Sequence, residues 1–126
     1  IREPEQLRLH PLRGAIFESW VIAEIYKAYA HRGMAPGLFH YRETRGLEID
    51  LLVDQGERLD AVEIKSGATV SQDYFKNLQH FPDRLGDAGE SRRIGNYVVY
   101  GGGKSQQRSY ARLLSWRDVQ RISAEE

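Results

Sequence analysis

The chain has 126 residues, 40% hydrophobic and 29% charged, with 18 basic and 18 acidic side chains in balance. That length fits one domain with one core, burying about two-thirds of the unfolded surface. Zero net charge excludes a global field drawing in nucleic acid or an anionic membrane, so any such binding needs a local patch. The absence of cysteine excludes disulfides, thiolate metal sites and a cysteine nucleophile, and fits a cytoplasmic protein. No apolar run approaches the ~18 residues of a membrane span, and the polar start Ile1-Arg-Glu-Pro-Glu-Gln is not a signal peptide. His10, His31, His40 and His80 lack zinc-ligand spacing, and the missing initiator Met suggests a piece of a longer protein.

Residues 1–14, with Pro4, Pro11 and Gly14, are expected to form an arm or a link to something upstream, and residues 15–126 a single domain. From Ala15 to Ala30 the apolar residues follow a helix: at ~100° per residue Phe17, Val21, Ile22, Ile25, Ala28 and Tyr29 share one arc. Glu18 falls inside that arc, whereas Glu24 lies at its edge. A carboxylate turned toward a core is costly unless it is paired, hydrogen-bonded or bound to a metal. Glu18 is therefore either a ligand or a group satisfied by the backbone or by an arginine such as Arg42.

His31 to Gly37 ends the helix, and Leu38 to Arg42 reads as a first strand, with a turn through Glu43-Thr-Arg-Gly46. Gly46 to Asp54 and Leu59 to Lys65 flank Gln55-Gly56-Glu57-Arg58 and read as an antiparallel hairpin. Closing that loop on Asp54 and Leu59 places Asp50 directly opposite Glu63. Facing side chains have Cβ atoms about 4.5–5.5 Å apart, and two carboxylates so placed repel one another unless something neutralises them. Alternation puts Lys65 on the face of Glu63, and assigns Ile49, Leu51, Val53, Val62 and Ile64 to the core face. Charged strand residues are often only a solvated face. Here the register, the Glu63/Lys65 parity, the apolar flanks and the inward Glu18 agree. A hard cation such as Mg²⁺, or Mn²⁺, held by Asp50 and Glu63 suits the set. Lys65 would orient or deprotonate water or steady developing charge; the alternative is a salt bridge without chemistry.

Thr69-Val-Ser-Gln72 has the pattern of a capping box opening a second helix, with Tyr74, Phe75, Leu78 and Phe81 inward and Pro82 near its end. Asp83 to Gly95 reads as a loop and Asn96-Tyr-Val-Val-Tyr100 as an interior strand. Gly101-Gly-Gly-Lys-Ser105 tempts a phosphate-loop reading, but Val98 stands where the Walker pattern needs glycine; a flexible turn is expected. Leu113 and Leu114 suggest a last strand and Arg117 to Ser123 a helix. Lys104, Arg108, Arg112, Arg117 and Arg121, with Tyr110 and Trp116 interleaved, suggest a nucleic-acid surface, a solubilising face or a domain contact. Arg42 and Arg45, nearer the acids, are candidates to hold a scissile phosphate.

Glu18, Asp50, Glu63 and Lys65, in that order, resemble the helix acid, strand Asp and Glu-x-Lys of the PD-(D/E)XK nuclease superfamily. More narrowly, Arg13-Gly-Ala-Ile-Phe-Glu18 with Val21, Tyr41 to Asp50, Val62-Glu-Ile-Lys-Ser66, Tyr97-Val-Val-Tyr100 and Trp116 resemble a domain of unknown function. That domain follows an AAA-type ATPase domain in many bacterial and archaeal proteins. Ile49 replaces the proline of the superfamily's name. The resemblance implies an α/β restriction-endonuclease-like fold with an α-β-β-β-α-β core, a mixed central sheet flanked by helices, and an ATPase domain upstream. It also implies Mg²⁺-dependent hydrolysis of DNA, with Asp50, Glu63 and Glu18 on the metal, Lys65 on the water and, in many nucleases of this fold, two copies paired to cut two strands. The rival expectation is a non-catalytic nucleic-acid-binding or regulatory module of the ATPase.

Overall fold

The computed structural model describes residues 12–86 and 92–124, so the expected arm lies, up to residue 11, outside the described residues. Phe17, Val21, Ile25, Ala28 and Tyr29 recur at helical spacing and are buried along α1, Arg13–His31. The helix starts two positions before the expected Ala15. It stops where Gly33 takes a φ of 74° and donates to Ala30 O at 2.9 Å, a left-handed exit that favours glycine.

Strands β1 (Gly37–Arg42), β2 (Glu48–Asp54) and β3 (Arg58–Lys65) follow, then helix α2 (Asp73–Leu85) and strand β4 (Arg93–Tyr100). A two-residue strand β5 (Gln106–Gln107), strand β6 (Arg112–Ser115) and a 3-10 helix, η1 (Trp116–Ala124), complete the described chain. The α-β-β-β-α-β order expected from the sequence is present, and β5 is an addition to it. The six-stranded sheet runs β1-β2-β3-β4-β6-β5. Its β3/β4 and β4/β6 pairs are parallel and the others antiparallel, so the sheet is mixed. Helices cover both faces. On one, Phe17, Val21 and Ile25 of α1 and Val119 and Ile122 of η1 pack with Leu51, Val53, Val62 and Val99. On the other, Phe75, Leu78 and Phe81 of α2 pack with Ile49, Leu52, Ala61 and Val98. Double coverage explains the unbroken apolar runs in β3 and β4.

The hairpin register is as expected: Asp54 faces Leu59, Val53 faces Asp60, Leu52 faces Ala61 and Leu51 faces Val62. One face assignment is corrected. Between β1 and β2 the pairing moves from Phe39↔Leu52 to Tyr41↔Ile49, so Asp50 and Leu51 together oppose the single residue His40. This bulge interrupts the alternation. Ile49 consequently joins Leu52 on the α2 face, whereas Leu51 packs toward α1.

Other differences are local. The capping box does not form: α2 starts at Asp73 with no side-chain cap on its N-cap residue Gln72, and Ser71 Oγ instead accepts the Asp73 N–H at 3.2 Å. Val70 is drawn against the core beneath α2, which takes the Thr69 segment out of capping geometry. Asp83 to Leu85 remain helical, and Arg93 to Gly95 are already strand, because parallel pairing with β3 reaches back to Arg58↔Arg93; residues 87–91 of that expected loop lie outside the described residues. The final helix is 3-10 rather than α. A kink at Asp118 divides it into two short 3-10 stretches, and Trp116 from the first and Val119 and Ile122 from the second pack against the α1 side of the core. No helix among the described residues is long and apolar enough to cross a membrane.

Candidate active site

The β2/β3 ladder pairs Leu51 with Val62, and beyond that point two carboxylates replace it. The backbone N–H of Asp50 donates to Glu63 Oε1 at 3.0 Å, and the backbone N–H of Ile64 donates to Asp50 Oδ2 at 2.7 Å. Each acid therefore ties down the backbone of the opposite strand. The two stand as neighbours, as the register requires, but in a reciprocal clasp rather than as a simple facing pair.

Glu63 is 2% exposed. By alternation with Val62 and Ile64 it stands on the α2 face, where Asn77 Nδ2 donates to its Oε2 at 3.3 Å. Lys65 Nζ lies 3.4 Å from the same oxygen, so the ion pair weighed as an alternative for Lys65 is formed. Burial pushes the Glu63 carboxyl above its ordinary value, and the negative charge of Asp50 pushes it further; Lys65, the Asp50 N–H and Asn77 oppose both.

Glu18 approaches from α1. It is half-buried, and its carboxyl is also raised, first by partial burial and then by the charge of Asp50; Glu48 adds to the rise, while His40 and Lys65 pull against it. Among the described residues neither a backbone group nor Arg42 takes the Glu18 carboxylate in a hydrogen bond or ion pair. Asp50 is thus the shared neighbour of two acids, one from each side of the sheet. Among the described residues no group of three or more His, Asp or Glu side chains is close enough to hold a metal ion jointly. The donor chemistry nevertheless suits a hard cation: Asp50 Oδ1 has no hydrogen bond among the described residues, and Glu63 Oε2 is held only at 3.3 and 3.4 Å.

Arg42 ends β1 opposite Glu48, and Arg45 lies in the following turn; both are exposed and without an ion pair among the described residues. The later basic residues do not form one stripe. The Arg108 guanidinium lies 5.8 Å from the ring centre of Phe75 on the α2 face. Arg117 lies 4.6 Å from that of Trp116, which meets Trp20 of α1 at 5.9 Å on the other side. Arg121 is 3.7 Å from Asp118.

Three features were not read from the sequence. Asn77 borders the buried stripe of α2, one turn before Phe81, and unlike Glu18 it lies outside the apolar arc, so spacing alone did not single it out. His40, whose ring nitrogens face Asp50 O at 3.3 Å and Glu48 Oε1 at 3.2 Å, depends on the bulge and left no local sign. The third is the glycine turn after β4. It is a turn, but a tied one: Gly101 N–H donates to Lys65 O at 3.0 Å and Gly67 O at 3.1 Å, and Ser115 Oγ donates to Gly102 O at 2.6 Å. A Cβ on Gly101 would lie 2.2 Å from Ser66 O. These glycines let β4 close against the end of β3 that carries Lys65. A strand rather than a helix follows, which removes the phosphate-loop reading.

A family model described as Domain of unknown function (DUF4143) matches residues 13–119. The chain belongs to this family. A search of the curated proteins gives no match. Among solved structures the DUF4143 domain is similar to the small subunit (R.BspD6I2) of the heterodimeric restriction endonuclease R.BspD6I, with a TM-score of 0.54 and 10% identity. That match covers 96% of this chain and 73% of the subunit. It is also similar to protein VC1899 from Vibrio cholerae, with a TM-score of 0.52, 11% identity and 89% of this chain covered. The DUF4143 domain spans 32% of that longer protein. At such identities the likeness shows the fold: the domain is restriction-endonuclease-like, with a mixed six-stranded sheet between helices.

Proposed function

We propose that this DUF4143 domain is a PD-(D/E)XK-type nuclease domain that hydrolyses phosphodiester bonds in DNA with Mg²⁺ or Mn²⁺. The observation that carries the reading is the clasp: two carboxylates, one 2% exposed, are held against each other where the strands part, with Asp50 Oδ1 free of hydrogen bonds among the described residues and Glu63 Oε2 held only by Asn77 at 3.3 Å and Lys65 at 3.4 Å. A cation there would offset their repulsion, polarise a phosphoryl oxygen and lower the proton affinity of bound water. Asp50 and Glu63 are the ligands in this reading, and Glu18 a direct or water-mediated third. Lys65, 3.4 Å from Glu63 Oε2, would orient water or steady charge developing on the phosphate. Arg42 and Arg45, exposed and without an ion pair among the described residues, would meet the flanking phosphate. The reading also includes an AAA-type ATPase domain upstream in the full-length protein, a cytoplasmic location and pairing of two copies for double-strand cuts.

Incubation of single-stranded, duplex and branched DNA with Mg²⁺ or Mn²⁺ tests it, comparing wild type with Asp50→Asn and Lys65→Ala. Metal-dependent cutting lost in both variants is the expected result. Absence of cutting, or cutting that persists equally in both variants, defeats the catalytic reading and favours a non-catalytic nucleic-acid-binding or regulatory module. The dispersal of the later basic residues over two faces gives that rival no continuous binding stripe.

A further inference from the structure

The bulge in β2 sets Asp50 and Leu51 against one residue of the edge strand, His40. A bulge locally disrupts the ladder, so the direction of the bulged side chain needs another constraint. His40 supplies a contact at that spot. Its Nδ1 lies 3.3 Å from the carbonyl oxygen of Asp50, and its Nε2 lies 3.2 Å from Glu48 Oε1. A carbonyl only accepts, so Nδ1 carries the proton of that bond. The ring therefore links the residues on either side of Ile49 and braces the bulge from the side. Both ring nitrogens are thus engaged by the segment that carries the bulge. Such outer contacts orient metal-binding carboxylates and influence affinity through geometry.

We propose that His40 is a positioning residue for Asp50: by holding the Asp50 carbonyl it fixes the bulge and aims the carboxylate at the cation. This rests on the metal-dependent reading above. The ring is 45% exposed, so replacing it removes little packing and leaves folding intact.

The test is titration of the domain with Mn²⁺ alone, read by electron paramagnetic resonance, for wild type and for His40→Asn, His40→Gln and His40→Phe, each with its melting temperature. The amide nitrogen of Asn falls near Nδ1 and can keep the bond to Asp50 O; that of Gln falls near Nε2 and reaches only toward Glu48. His40→Asn is expected to bind Mn²⁺ within about twofold of wild type, and His40→Gln and His40→Phe about tenfold more weakly. All four proteins should melt within a few degrees of one another. Wild-type affinity in His40→Phe, or equal losses in His40→Asn and His40→Phe, overturns the positioning role. A wild type that takes up no Mn²⁺ overturns instead the metal-dependent reading on which it rests.

Discussion

Strand β3 carries a buried carboxylate toward each end, and the two are built differently. Asp60 is 1% exposed and Glu63 2%. Asp60 accepts from Arg58 Nε and Gln55 Nε2, both at 2.8 Å, and from the Tyr29 hydroxyl at 3.2 Å; Arg58 in turn donates to the Tyr97 hydroxyl at 2.9 Å. Burial raises its carboxyl, and the interactions that follow, led by the charge of Arg58, all pull it back. At Glu63 burial is followed by a second push upward, from Asp50. The first acid is surrounded by donors and a guanidinium, the arrangement that makes a buried charge tolerable in a core. The second is pressed against another acid, which folding alone does not favour. The contrast separates a carboxylate whose partners satisfy it from one that, in the reading proposed above, a cation would relieve.

The sharpest way to break that comparison is to remove the structural acid. Asp60→Ala takes the carboxylate from half-buried Arg58 and the acceptor from Tyr29 and Gln55, and is expected to cost about 3 kcal/mol in urea denaturation. The variant fraction that remains folded should still bind Mn²⁺ as wild type does. Gly101→Ala should come next, at about 2 kcal/mol in thermal unfolding, because its Cβ would meet Ser66 O and push on the segment behind Lys65. Unlike Asp60→Ala, it should also lower any cleavage rate.

Asp50→Asn should act in the opposite sense. The Asn oxygen can still accept the Ile64 N–H while the repulsion on Glu63 disappears, so neutral-pH stability should rise by about 0.5–1 kcal/mol as Mn²⁺ binding is lost. The pH dependence follows from Glu63. Its folded-state carboxyl is raised above the ordinary 4.5, so its contribution to stability is fully present below 4.5 and is lost as pH rises through the folded value. The gain in Asp50→Asn should therefore appear at neutral pH and shrink below 4.5, which denaturation at the two pH values checks. The smallest effect belongs to Lys65→Met. Lys65 lowers the carboxyls of both Glu63 and Glu18, so carbon-13 titration of the carboxyl groups should show both moving up, with stability changed by only a few tenths of a kcal/mol. Asp50→Asn should move the same two resonances down.

Much of this was legible in the chain because its rules are local. The Gln55 to Arg58 turn and the alternation of β3 set the hairpin register, which placed Asp50 beside Glu63; helical spacing singled out Glu18. The bulge was not legible, since it arises from a one-residue mismatch between β1 and β2 that neither strand shows alone, and with it went the true face of Ile49 and the role of His40. The Gly101 and Gly102 contacts, likewise, exist only after β3 and β4 have come side by side. The apparent capping box failed because Val70 found a better place under α2 than in a helical first turn.

The clasp has a consequence for how such a site ages. Holding the two strands requires only an oxygen that accepts an N–H at positions 50 and 63, and Asn and Gln supply one without charge. A lineage that had given up chemistry could drift to those amides, keep its architecture and shed the repulsion. Alanine, by contrast, would strand two buried donors and be purged whatever the activity. Amides at these two positions are therefore the expected fossil of a retired site of the kind proposed here, and Asp50 and Glu63 are still acids.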